Sequence, residues 1–163
     1  MTLTKPDFDA VALLARNVLK ENMISKPPVI ASHIANSYGL QVFRMQFNPE
    51  YSDVSGFIDA NQKAIAVNAD DAPVRQNFTI AHELGHYLRN HHLEEGYSVL
   101  LRDKSHMVNT PMEVEANWFA GNLLVPEMFL REYLDTYPYA TDRQLSNIFG
   151  VSAEVIRIRR QYL

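Results

Sequence analysis

Apolar positions recur every three to four residues from Phe8 to Lys20. Val11, Leu14, Ala15 and Val18 fall on one stripe and predict an amphipathic helix. SKPP breaks that pattern. Pro28 then suits the first turn of a short helix over VIASHIANSY, closed by Gly39. QVFRMQF alternates, with Phe43, Met45 and Phe47 on one face, and predicts a strand. SGFIDA and KAIAVNA, joined through Asn61-Gln62, predict an antiparallel hairpin. A long helix is expected from about Ala72 to His91, with Val74, Phe78, Ala81, Gly85 and Leu88 as its buried stripe. A weakly patterned stretch leads to Pro111. A helix over Met112 to Leu124 follows, and Pro126 restarts another down to about Asp135. The last segment, TDRQLSNIFGVSAEVIRIRRQYL, predicts two short helices. Thr141 and Gln144 form a capping-box pattern, Gly150 stops the first helix and Ser152 caps the second. Helices, a small sheet, then helices again predict an α+β domain over residues 1–163, with 136–163 as a helical pair packed on it.

Composition narrows the chemistry. The 163 residues are 47% apolar, enough for one domain with a real core. The net charge is −4, so no global basic field draws the chain to nucleic acid. There is no cysteine, which excludes disulfides and thiolate metal sites and leaves His, Asp and Glu as ligands. The N-terminus MTLTKPDFDA lacks the basic and apolar regions of a signal peptide, and no run approaches membrane-spanning length. A soluble, cytoplasmic protein is expected.

The segment FTIAHELGHYLRNHH carries the chemistry. Its HELGH is an H-E-x-x-H pattern, which places His82 and His86 one helical turn apart on one face. Glu83, rotated about 100° from His82, can flank a bound zinc ion and work its water. Ordinary surface or core histidines at helix spacing are the plain alternative.

A catalytic zinc site needs a third protein ligand and one open position. His92 stands where H-E-x-x-H-x-x-G-x-x-H would place a third histidine, but Arg89 occupies the glycine position of that pattern. His91 and His92 otherwise suit a solvated helix end. PMEVEANWFAGNLLVP offers a better candidate. Projected as a helix, Met112, Ala116, Phe119, Ala120, Leu123 and Leu124 form an apolar arc with Glu113 and Asn117 along its edge. Glu115 projects the other way, toward water. A carboxylate beside an apolar arc needs a partner, so Glu113 is expected as third ligand, with Asn117 placed to hydrogen-bond one of the ligands. A half-exposed carboxylate favoured by the helix dipole is the bland explanation of Glu113.

These pieces together resemble the ImmA/IrrE family of zinc metallopeptidases. The resemblance is carried by VIASHIANSYGLQV, by SGFIDA through HELGHYLRNHH, by EVEANWFAGNLLVP and by NIFGVS. It implies a zincin-like, gluzincin-type fold with a small antiparallel or mixed sheet packed against helices. It implies zinc on His82, His86 and Glu113, with Glu83 as general base. It also implies a protein substrate, commonly a helix-turn-helix (Xre-like) repressor or an antitoxin-like partner. Longer members of the family carry an extra sensory domain, which a chain ending at Leu163 is expected to lack. A second oxyanion donor is usual in such hydrolysis, and His106, Tyr97, Tyr87 and His33 are candidates. KAIAVN, as an edge strand of such a sheet, would be open to an extended peptide.

Two rival functions come from other classes. FGVSAEVIRIRRQY resembles the second half of a helix-turn-helix, with Arg157, Arg159 and Arg160 clustered, which would suit a DNA-binding regulator. Its apolar positions serve equally as a packing element. A zinc-holding adaptor without proteolysis is the other, with Glu94 to Thr110 as a candidate lid and Trp118, Tyr137 and Tyr139 as candidate anchors.

Overall fold

The computed structural model describes residues 3–94, 102–103 and 109–163. Asp7 caps the first helix, its side chain accepting from the Ala10 N–H, and α1 runs Phe8–Glu21 with Val11, Ala15, Val18 and Leu19 buried. α2 is shorter than the sequence suggests, Ala31–Ser37. Its start is set by a distant residue. Asn77 accepts from the Ala31 N–H and donates to the Val29 carbonyl, both at 2.9 Å. A side-chain cap from another helix leaves no trace in the local pattern.

Four strands make one mixed sheet: β1 (Gln41–Met45), β2 (Val54–Asp59), β3 (Ala64–Asn68) and β4 (Arg102–Asp103). The order is β1-β3-β2-β4. β2 and β3 form the expected antiparallel hairpin, with Ile58 opposite Ile65. Asp59 shapes its turn by accepting from the N–H groups of Asn61 and Gln62. β1 lies parallel to β3, with Phe43 opposite Ala66. β3 is therefore an interior strand, not the edge expected for KAIAVN. Both of its backbone edges are in use, so it cannot accept a peptide by strand addition. The Phe43 and Met45 face of β1 is half-exposed.

The remaining helices are α3 (Pro73–Leu88), α4 (Pro111–Leu124), α5 (Glu127–Thr136), α6 (Asp142–Phe149) and α7 (Ala153–Arg160). α3 is sandwiched between the sheet on one side and α4 on the other. Every residue from Thr79 to His86 is buried, so the helix has no solvent face over those two turns. Val74, expected in its buried stripe, is 39% exposed because it lies in the first turn, before the helix is covered. α3 also stops short of His91. Asn90 adopts the left-handed conformation at φ 57°, ψ 30°, and a 3-10 turn spans His91–Leu93.

At the C-terminus the capping box of Thr141 and Gln144 is formed in full. Gly150 takes φ 66° to end α6, and Ser152 caps α7. The arginine cluster of α7 disperses. Arg159 is 4% exposed and donates to Val125 O and Asn122 Oδ1, while Arg160 is bound to Asp142 and Ala140 O. Only Arg157 of the three points mainly to solvent, which removes most of the basic face that a DNA-binding role would use. Among the described residues no helix is long and apolar enough to cross a membrane.

Gly85 sets the distance between α3 and α4. A Cβ at this position would sit 2.9 Å from Phe119 Cδ1 and 3.1 Å from its Cβ, and Phe119 is fully buried. Gly85→Ala gains up to about 1 kcal/mol of helix propensity. Overpacking costs about 1–3 kcal/mol. The buried ring cannot swing away, so packing should win. A net loss of stability is expected, read as a lowered Tm in thermal denaturation, and an unchanged or raised Tm would refute the tight contact.

Candidate metal centre

Two helices build the site. α3 presents His82 and His86 on successive turns, and α4 presents Glu113 in its first turn. Thr110 starts α4 by accepting from the Glu113 N–H at 3.2 Å, with Pro111 at the first helical position. The positive end of the α4 dipole favours the Glu113 carboxylate there. His82 Nε2 lies 3.2 Å from Glu113 Oε2, His86 Nε2 lies 3.0 Å from Glu113 Oε1, and the two Nε2 atoms are 3.1 Å apart. Among the described residues these three form the one cluster of ligand-type side chains able to hold a metal ion. All are well enclosed, with side-chain exposures of 2%, 4% and 14%.

The donor set fits a zinc ion. Bonds of about 2.0–2.1 Å in tetrahedral geometry separate neighbouring ligand atoms by about 3.3 Å. The three separations here lie just inside that value. The proton positions agree. Asn117 Oδ1, an acceptor, sits 2.9 Å from His82 Nδ1, which places the His82 proton on Nδ1 and leaves the Nε2 lone pair facing Glu113. Two imidazoles and a carboxylate thus turn toward one point, and only a cation reconciles them. Burial opposes ionisation of Glu113, but its contacts with His82 and His86 outweigh that and hold its carboxyl well below the usual carboxylate range.

Glu83 follows His82 on α3 and is buried, at 2% exposure. The other sequence candidates fall differently. His91 and Glu115, expected at a solvated helix end and on a water-facing side, are both buried, at 2% and 0%. The turn at Asn90 folds His91 back behind His86, with their Nδ1 atoms 2.8 Å apart. His91 Nε2 lies 2.8 Å from Glu115 Oε2. Arg89 grips the same carboxylate in a fork, Nε at 2.8 Å and the terminal nitrogen at 3.0 Å, and the Asp7 N–H donates to it at 2.8 Å. Burial pushes the Glu115 carboxyl up, but Arg89, the Asp7 amide and His91 together bring it below its ordinary value. His92 stacks on Tyr87, ring centroids 5.6 Å apart. His33 belongs to α2. Tyr97, His106 and most of the candidate lid lie outside the described residues.

A family model described as the IrrE N-terminal-like domain, Peptidase_M78, matches residues 35–160. The chain belongs to this family. The IrrE-like chain is also 25% identical over 154 residues to "Uncharacterized immunity region protein 2" of Bacillus phage phi105, covering 93% of this chain and 90% of that one. In structure it is similar to a Mycobacterium tuberculosis transcriptional regulator, with a TM-score of 0.68 at 18% identity. That match covers 90% of this chain and 45% of the regulator, so the chain spans less than half of its length. The IrrE-like fold is α+β and zincin-like, with the HELGH helix between a small mixed sheet and the helix that carries Glu113.

The two glutamates of α4 should separate in experiment. Glu113→Ala is expected to lose bound zinc after loading and dialysis, measured as metal per chain. Glu115→Ala leaves Arg89 and His91 without their buried acceptor, and should lower unfolding free energy in urea by about 3 kcal/mol. Equal stability of Glu115→Ala and the wild type would contradict the buried clamp.

Proposed function

We propose that this chain is a zinc-dependent endopeptidase. The observation that carries this is the convergence of His82, His86 and Glu113 from two helices, with Glu83 buried beside them on α3. Membership of a peptidase family supports it. When bound, zinc supplies Lewis acidity, acidifying a water toward neutrality and polarising the scissile carbonyl. The chain's own residues do the rest. His82, His86 and Glu113 are the ligands, three protein groups that leave one position for water and substrate. Asn117 holds the His82 ring by its Nδ1–H, so that Nε2 stays aimed at the site. Glu83 acts as general base, taking the water proton and delivering it to the leaving amine. A carboxylate is suited to both steps because it can hold one proton between them.

The substrate we propose is a helix-turn-helix repressor or an antitoxin-like protein, cut at a specific site. The similarity to an immunity region protein of a phage supports a regulatory partner of this kind. Cleavage would take place in the cytoplasm, where such repressors bind DNA.

Glu83→Gln keeps the size of the side chain and removes its basicity. It is expected to bind zinc as the wild type does and to lose cleavage by at least about a hundredfold. Helix-turn-helix repressors of the host, purified and incubated with each protein, would be followed by intact-mass spectrometry. Cleavage by wild type that stops with a chelator and with Glu83→Gln is the expected result. Full cleavage by Glu83→Gln would remove Glu83 from its role, and zinc-loaded wild type that cuts none of them would count against the proposed substrate class.

A further inference from the structure

His91 and Glu115 lie outside the proposed ligand set, yet both are buried and both touch the back of it. His91 Nδ1 meets His86 on the ring edge away from Glu113, and His91 Nε2 meets Glu115. The protons of this chain can be counted. Glu115 faces four neighbours: the Asp7 N–H, two nitrogens of Arg89 and His91 Nε2. The amide and the guanidinium can only donate, so the carboxylate is an acceptor on both oxygens. His91 Nε2 must therefore also bring a proton. One proton fits between two Nδ1 atoms 2.8 Å apart. A ring that ligates through Nε2 carries its proton on Nδ1, so His86 donates and His91 Nδ1 accepts. The hydrogen bonds then run one way, from His86 Nδ1–H to His91, and from His91 Nε2–H to Glu115.

We propose that His91 and Glu115 are a positioning pair that holds His86 in the tautomer and ring orientation which turn its Nε2 lone pair toward His82 and Glu113. The inference rests on the metal reading given above. It also explains the position of the pair. His82 is held by the side-chain amide of Asn117, itself an exposed residue. His86 backs onto the interior, where a charged acceptor needs its own counter-ion, and Arg89 supplies it. Asp7, whose side chain caps α1, gives its backbone N–H to the same carboxylate. The start of α1 thereby braces a histidine of α3 through α4.

Histidine labelled with 15N reports which ring nitrogen carries the proton. In the full chain, with zinc bound and without, His91 should show a protonated Nε2 and a bare Nδ1. Zinc affinity, measured by competition with a chromophoric chelator, should weaken by about ten- to a hundredfold in His91→Leu. His91→Gln should recover part of that loss, since its amide can accept from His86 and donate to Glu115. A purely packing role would favour leucine over glutamine and leave affinity unmoved. Wild type that binds zinc while His91 carries its proton on Nδ1, or on both nitrogens, overturns the positioning pair alone. So does His91→Leu with wild-type affinity. If His91→Leu fails to fold, the wild-type tautomer still decides. Wild type that takes up no zinc overturns the metal reading, and this inference with it.

Discussion

The contact between Gly85 and Phe119 is the constraint on which the site depends. Glu113 belongs to α4 and the two histidines to α3, and their ligand atoms must come within about 3.3 Å of one another to share an ion. Helices usually pack with axes 8–10 Å apart, depending on the side chains between them. Here one side of the interface has no side chain at all, so the Phe119 ring lies against the backbone of α3. With the helices locked at that distance, the first turn of α4 lands Glu113 beside His82 and His86. The same packing carries Glu115, two residues on, to the far side of His86.

A second consequence is electrical. α3 is covered on both sides from Thr79 to His86, so its polar side chains there are taken out of water. Buried polar groups need partners, and buried charges need counter-charges. Each is met. Asn117 answers His82, His91 answers His86, Glu115 answers His91, and Arg89 answers Glu115. The result is a polar seam inside an otherwise apolar helix pair, with the ligand cluster at one end and a charged fork at the other. Such a seam rigidifies what it connects only if every member is paired, which explains why the backbone amide of Asp7 is drawn in as well.

The family and the fold limit what kinds of function fit. An IrrE N-terminal-like chain belongs to a peptidase family, and it is similar along most of its length to an immunity region protein of a phage. FGVSAEVIRIRRQY resembles the second half of a helix-turn-helix, with its arginines close together in sequence. In three dimensions one of them is a buried strut that ties α7 to the end of α4, and another pairs across to Asp142 at the start of α6. Their charge is spent within the chain.

Much of this protein was legible in one dimension. The helix and strand pattern, the hairpin, the caps at Thr141 and Ser152, and the placing of Glu113 at the edge of α4 that meets His82 and His86 follow from periodicity and local hydrogen bonding, which act over a few residues. Misreadings cluster where the deciding partner is remote. α2 starts where Asn77 caps it, β3 is interior because β1 joins it in parallel, and Arg159 is buried because α4 offers it two acceptors. The largest surprise follows from one residue. Asn90 takes a left-handed turn that asparagine tolerates but does not announce, and this swings His91 inward. A helical projection then places Glu115 in water, because it has one helix in view and no second layer to cover the other side. Local sequence determined which groups could ligate. Only packing between α3, α4 and the start of α1 decided which groups stand behind them, because burial is a property of neighbours and not of position along the chain.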